Sequence, residues 1–425
     1  MESKHFQRIG ETVYSAELPN GLQLRVSPQE DFARSFAVFA VNYGGAMRRF
    51  SLSGREIDTP AGVAHFLEHK MFDMPDGNAL SQLSANGASA NAFTSSGMTA
   101  YHFESVQHFM DNLALLLRFV STPYFTAESV QKEQGIIGQE VRMTEDDPAW
   151  RVYSDLMQSL YARNPIRDCV VGSIESIAQI TPEILYDCHR AFYVPSNMAL
   201  CVAGPASPND VLSAAVDILS GDRAPVPRPD YGEAESAAPV SARHERAMAV
   251  SAPQFMFGAK VTPAGNGLPL LRQKLVAALS LRCIMGRSSP FYTELYAGGL
   301  LRNDFSCETD YSAGTATILC GGESASPEKV LEKLAVKVGD ISRSGVSAAD
   351  FERARRAEYG TRLRALDDFA DICINMTEGV FGGYLPQDAF ELLDGISADE
   401  CAAFVAENLA ADKLALATVN PAKGQ

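Results

Sequence analysis

Between Ala61 and Lys70 the chain reads AGVAHFLEHK, which sets His65 and His69 four residues apart with Glu68 between them. On an α-helix, side chains four apart share a face. Both imidazoles can therefore reach one metal ion while Glu68 stays beside them as a carboxylate able to take a proton. A catalytic zinc ion takes three protein ligands and keeps one position open, so a third ligand must come from elsewhere in the chain. The segment SVQKEQGIIGQEVRMTEDDP supplies it: Glu133 and Glu140 lie seven apart on a predicted helix, nearly superposed on one face, with Ile136, Ile137 and Val141 read as the apolar side that buries it. Glu140 is the expected third ligand. Glu133 is the expected acceptor for the second N–H of a ligand imidazole, which would fix that ring. Taken singly, a histidine on an apolar helix face is usually a satisfied core residue, and an acidic pair at helical spacing is usually a solvated face. The combination makes metal chemistry the better account, with Zn2+ expected and manganese or cobalt suited to the same N2O set.

These residues need a scaffold, and the 425-residue chain is long enough for more than one core. A stretch rich in Pro, Ala and acidic residues, GDRAPVPRPDYGEAESAAPVSAR, divides it. The expected organisation is a metal-bearing domain over residues 1–221, a linker over 222–243 and a second domain over 244–425. In the first segment, strands are predicted near residues 12–17, 22–27, 36–43, 98–104 and 198–204, with helices near 61–71, 106–121, 127–144, 150–162, 182–192 and 208–220. The second segment repeats that order more faintly: strands near 248–261, 303–307, 315–320 and 414–418, helices near 269–285, 327–344, 348–366, 369–380 and 398–408. The predicted class is α+β: two similar domains, each a mainly antiparallel sheet with helices on one face.

Composition removes several alternatives. With 36 Lys and Arg against 52 Asp and Glu the net charge is −16, and no basic run occurs, so nucleic acid is not an expected partner. No membrane span or secretion signal is read from the apolar pattern, and a cytoplasmic location is expected. The eight cysteines are scattered without a C-x-x-C pair and read as buried thiols in a reducing compartment. Cys188-His189 lacks the serine elbow or acid partner of a triad. His102 and His108 read as core or surface, and Trp150 as packing.

The order His-x-x-Glu-His, followed some seventy residues on by a Glu-x6-Glu helix, resembles the pitrilysin/insulinase metallopeptidases with their inverted zinc motif. The likeness runs through HFLEHKMF after Gly62, GASANAFTSSGMTAYHF and EQGIIGQEVRMTEDDP. It continues in Tyr193, Pro195, Asn197 and Met198, in Val202-Ala203-Gly204, and in GRSSPFYTELYAGGLL of the second segment. By size the chain resembles the small branch of the family, which includes the mitochondrial processing peptidase subunits and short bacterial peptidases, where two chains close around a chamber. The resemblance implies that His65, His69 and Glu140 hold zinc, that Glu68 is the general base on zinc-bound water, and that Glu133 supports a ligand. It also implies peptide substrates, short or unfolded, that pair with an edge strand formed by residues 88–94, with Ala90, Asn91, Ala92, Phe93 and Thr94 along it.

One departure stands out. Active single-chain and self-pairing members carry an Arg and a Tyr seven apart in the second domain, in a pattern like L-R-x-K-x-G-L-x-Y, which donate to the substrate carbonyl. Here the matching stretch is Leu295-Tyr296-Ala297-Gly298-Gly299-Leu300-Leu301-Arg302, with Tyr296 in the Arg position, no closing Tyr, and Arg302 out of register. This implies divided labour: a related subunit supplies the Arg/Tyr pair in a heterodimer and the isolated chain is weakly active or inactive. The other readings are a homodimer, a non-catalytic scaffolding subunit and a dedicated maturation peptidase for one peptide.

Overall fold

A continuous apolar run suits a strand covered on both faces, and Ser35–Val41 (SFAVFAV) and Met198–Gly204 (MALCVAG) are buried along their whole length. They pair antiparallel inside a seven-stranded sheet of the computed structural model, which describes residues 1–422; residues 423–425 of the predicted second domain lie outside the described residues. The strand order is Glu2–Phe6, Glu11–Glu17, Gln23–Pro28, Met198–Gly204, Ser35–Val41, Thr99–Ser105 and Ser89–Thr94, so Ser89–Thr94 forms an edge. Against one face lie helices Val63–Met71, Phe109–Ser121 and Ala127–Asp146, which bury Phe66, Leu117 and Ile137 with Phe39, Tyr101 and Phe103.

The α+β class and the likeness of the two halves hold, with one correction to the expectation of helices on one face. The other face of this sheet is covered by helix Phe369–Gly382, whose Phe369, Ile372, Cys373 and Met376 meet Val38, Ala40 and Cys201. Unalternating strands need that second cover. Packing divides the chain into two discontinuous compact units. The first comprises Met1–Val141, Cys169–Tyr231 and Leu363–Gln387. The second comprises Arg142–Asp168, Gly232–Arg362 and the chain from Asp388 onward. One boundary, Tyr231 to Gly232, falls inside the stretch read as a linker. The two exchanged segments carry no compositional mark.

The second unit holds a five-stranded sheet in the order Arg243–Met248, Ala415–Pro421, Gln254–Val261, Ala316–Glu323 and Ser306–Asp310. Its topology repeats the first sheet's last five strands. In each, the first strand in sequence pairs parallel with the last, the last pairs antiparallel with the second, and the remaining two follow antiparallel. Helix Pro148–Leu160 packs on Gln254–Val261 and Ala415–Pro421. The strand expected over 248–261 runs only over Gln254–Val261, since Pro253 has no N–H to continue a ladder, and the polar RHERAM run before it, not expected as a strand, forms the edge. All eight cysteines are free thiols.

Candidate metal centre

The helix Val63–Met71 begins at Gly62, held at φ 96°, where a Cβ would sit 2.8 Å from the carbonyl oxygen of Val171. Gly172 faces it the same way, with a Cβ position 2.6 Å from the Ala61 oxygen. Only glycine allows both the left-handed turn and this close approach, and Ser176 Oγ donates to the Ala61 carbonyl at 2.8 Å. This backbone contact fixes where the helix starts and hence where its third and seventh residues project. Helix Ala127–Asp146 is capped reciprocally by Thr126 and Ser129. It buries Val130, Ile137, Gly138 and Val141, which aims Glu133 and Glu140 at the first helix. Ile136 does not share the buried side expected of it: it is 42 % exposed, because its position falls on the face of Glu133 and Glu140.

Three donor atoms meet between the helices. His65 Nε2 and His69 Nε2 each lie 3.7 Å from Glu140 Oε2, and ligand atoms of all three residues lie within 4.8 Å of one another. Ligands at ~2.1 Å from a tetrahedral ion are separated by ~3.4 Å, so each imidazole stands within a few tenths of an ångström of its ligating separation from Glu140. The donor set fits zinc. Glu133 Oε1 accepts from His69 Nδ1 at 3.0 Å, which leaves the Nε2 lone pair for a cation. Behind Glu133 sits Lys70, only 1 % exposed, with its ammonium 3.9 Å from Glu133 Oε2 and bonded to Asp73. Glu68 is buried and accepts from Thr94 Oγ1 at 2.6 Å.

Burial and the neighbouring His69 push His65 down to about 4, so its ring is neutral near pH 7. Burial also pulls on His69, but the hydrogen bond it donates to Glu133 and the charges of Glu140, Glu133 and Glu68 outweigh it and hold its pKa above the ordinary value. Burial raises Glu68 above the usual carboxylate range, against the lowering hydrogen bond from Thr94 and charge of His69. Glu133 is depressed, because His69, Lys70 and Lys132 outweigh its desolvation.

Among the other candidates, Ala90, Asn91, Ala92, Phe93 and Thr94 lie on the edge strand Ser89–Thr94, paired only with Thr99–Ser105, and Asn91 Oδ1 accepts the N–H of Ala92 at 2.9 Å. His102 stacks on Phe36, and His108 starts a helix with Asp111 3.6 Å away; neither joins the donor cluster. Trp150 is 46 % exposed, stacked edge-on to Tyr153, and is not the packing residue expected. Arg302 pairs with Glu323 at 3.5 Å, and Tyr296 is exposed on helix Pro290–Ala297. Sequence reasoning missed Lys70, whose only signal is a lysine inside an otherwise buried helical run. It also missed the side-chain bond from Thr94 to Glu68, for which spacing gives no signal at all.

Comparison with known proteins adds to this geometry. Residues 53–172 match the family model described as insulinase (peptidase family M16), and residues 179–358 match the one described as peptidase M16 inactive domain. The uncharacterized zinc protease YmfH of Bacillus subtilis is 35% identical, with 98% of each chain covered. The crystal structure of an M16-like peptidase from Alicyclobacillus acidocaldarius superposes with a TM-score of 0.92 at 29% identity, covering 97% of this chain and 99% of that one. A protease from Helicobacter pylori shares the fold at a TM-score of 0.81 and 17% identity, over 96% of this chain and 99% of that one.

Proposed function

Since the chain belongs to the insulinase peptidase family, M16, we propose that it is a zinc metallopeptidase subunit that hydrolyses peptide bonds in short or unfolded peptides. The observation that carries this reading is the meeting of His65 Nε2, His69 Nε2 and Glu140 Oε2 beside a buried carboxylate, Glu68. Zinc is the metal of the family's named proteases, and when bound it would be held by those three residues, acidify water and polarise a carbonyl.

The chain's own groups do the rest. Glu68 takes the proton of the attacking water and returns it to the leaving amine, a role suited to a carboxylate whose pKa is raised by burial. Glu133, anchored by Lys70, keeps the His69 ring in one tautomer and orientation. The edge strand Ser89–Thr94 offers backbone to an extended peptide, a mode that reads main chain and leaves side-chain selectivity loose.

The stretch Leu295 to Arg302 favours an enzyme of two chains. Tyr296 is exposed and Arg302 is committed to Glu323, so neither is arranged as the Arg/Tyr pair that stabilises a developing oxyanion. In this reading a related subunit brings that pair and this chain brings the metal. The test is the purified chain, loaded with zinc, against an unstructured fluorogenic peptide. Weak turnover that rises on adding a related, metal-free subunit is expected. Robust turnover by the chain alone would remove the divided enzyme, and failure to bind zinc would remove the peptidase.

A further inference from the structure

We propose that Thr94 is a positioning residue whose hydroxyl holds Oε2 of Glu68 and thereby makes Oε1 the atom that takes the proton. The inference rests on the peptidase reading above, but its own ground is a count of hydrogens. Thr94 Oγ1 lies 2.6 Å from Glu68 Oε2, the length of a charge-assisted O–H···O⁻ bond. A hydroxyl has a single hydrogen, and an ionised carboxylate only accepts. The hydrogen of Thr94 is therefore committed to Glu68.

Its other neighbour does not compete. Thr99 Oγ1 is 3.3 Å away, a longer and uncharged alternative, and its own hydrogen goes to the Tyr43 carbonyl at 2.9 Å. That bond and its complete burial hold Thr99 still. Thr94 and Thr99 are direct partners across the strands Ser89–Thr94 and Thr99–Ser105, so strand register places the Thr94 hydroxyl.

The consequence is mechanical. With Oε2 engaged by Thr94, the carboxylate plane cannot turn without breaking a strong bond, and the lone pairs of Oε1 remain for the water. Thr94 also ends the edge strand proposed to dock the peptide. Substrate alignment and base orientation are then set by one stretch of backbone.

The test uses Thr94→Val, which keeps shape and removes the hydroxyl, and Thr94→Ser, which keeps the hydroxyl. In zinc-loaded protein, within the assembly that turns over peptide, Thr94→Val should retain stoichiometric zinc and a KM within about twofold while kcat falls about 10- to 100-fold. Thr94→Ser should recover most of that loss. Crystal structures of zinc-loaded wild type and Thr94→Val provide a readout independent of turnover: the Glu68 carboxylate should leave its place in the valine variant. An unchanged kcat, a loss that serine does not recover, or an unmoved Glu68 would overturn the proposal. Absence of turnover by the wild type would instead sink the peptidase reading, leaving the crystal comparison to decide the role of Thr94.

Discussion

Replacing Glu133 with Gln isolates the electrostatic part of the metal centre. The carboxylate accepts from His69 Nδ1 at 3.0 Å and faces the ammonium of Lys70 at 3.9 Å. Glutamine has the same shape and can still accept through its oxygen, so the ring keeps its tautomer. What disappears is one negative charge behind a ligand imidazole, the term that makes Nε2 more basic and a better donor. Lys70 keeps Asp73 as its partner, so the fold should survive, as circular dichroism and thermal unfolding would check. Loss of such a supporting group weakens metal affinity by about 10- to 100-fold, or about 1.4–2.8 kcal/mol. Competition against a chromophoric zinc chelator at neutral pH measures it. The pH dependence has a definite sign. Glu133 helps to raise the pKa of His69, so a proton competes with zinc for that ring in the wild type more than in the variant. The difference in affinity should narrow as pH falls through the raised pKa of His69. A folded variant with unchanged zinc affinity would refute the reasoning.

Glu68→Gln should keep stoichiometric zinc and lose about 10²- to 10⁴-fold in hydrolysis, measured on the fluorogenic peptide; loss of zinc would make Glu68 a ligand. Gly62→Ala meets both a φ of 96° and the Val171 oxygen at 2.8 Å, so it should destabilise the protein by more than about 1 kcal/mol and weaken zinc binding. Gly135→Ala, a helical site with nothing within 4 Å of the added Cβ, should stabilise by about 0.5–1 kcal/mol in the same urea titration. His189 is buried, donates from Nε2 to the Val120 carbonyl, stacks on Tyr193 and is pushed down to about 4, with burial as the main cause. The unfolded chain takes up the proton first. The stability that His189 contributes is therefore complete above pH 6.5 and is lost as pH falls toward 4, about 3 kcal/mol in all. Relative to His189→Phe, the wild type should lose unfolding free energy over that range; parallel pH profiles would contradict it.

Much of the first unit was legible because its patterns are local. The predicted helix at 182–192 is the observed Pro182–Phe192, and the strand at 198–204 is Met198–Gly204; proline at the first turn and an unbroken apolar run leave little choice. Polar edge strands such as Arg243–Met248 and Glu2–Phe6 were not legible, since neither alternation nor apolarity marks a strand that packs on one neighbour. The misreading of Ile136 has the same root. Ile136 and Ile137 are adjacent and cannot both face one way on a helix, and only the partner surface decides which is left outside.

What the sequence determined by itself is the chelate and its base. His65, Glu68 and His69 are bound to one face by the 3.6-residue repeat wherever that segment is helical, and the repeat also sets Glu133 and Glu140 on a common side. That the second pair faces the first was decided by the tertiary structure, through the backbone approach at Gly62 and Gly172 and the burial of Val130, Ile137 and Val141. The same holds for the Thr94 hydroxyl on Glu68, placed by strand register, and for the helix Phe369–Gly382 on the first unit's sheet. Local spacing is a property of covalent geometry and helix period. Contacts between residues distant in sequence arise only when buried surfaces select one packing among many, and no spacing rule encodes that choice.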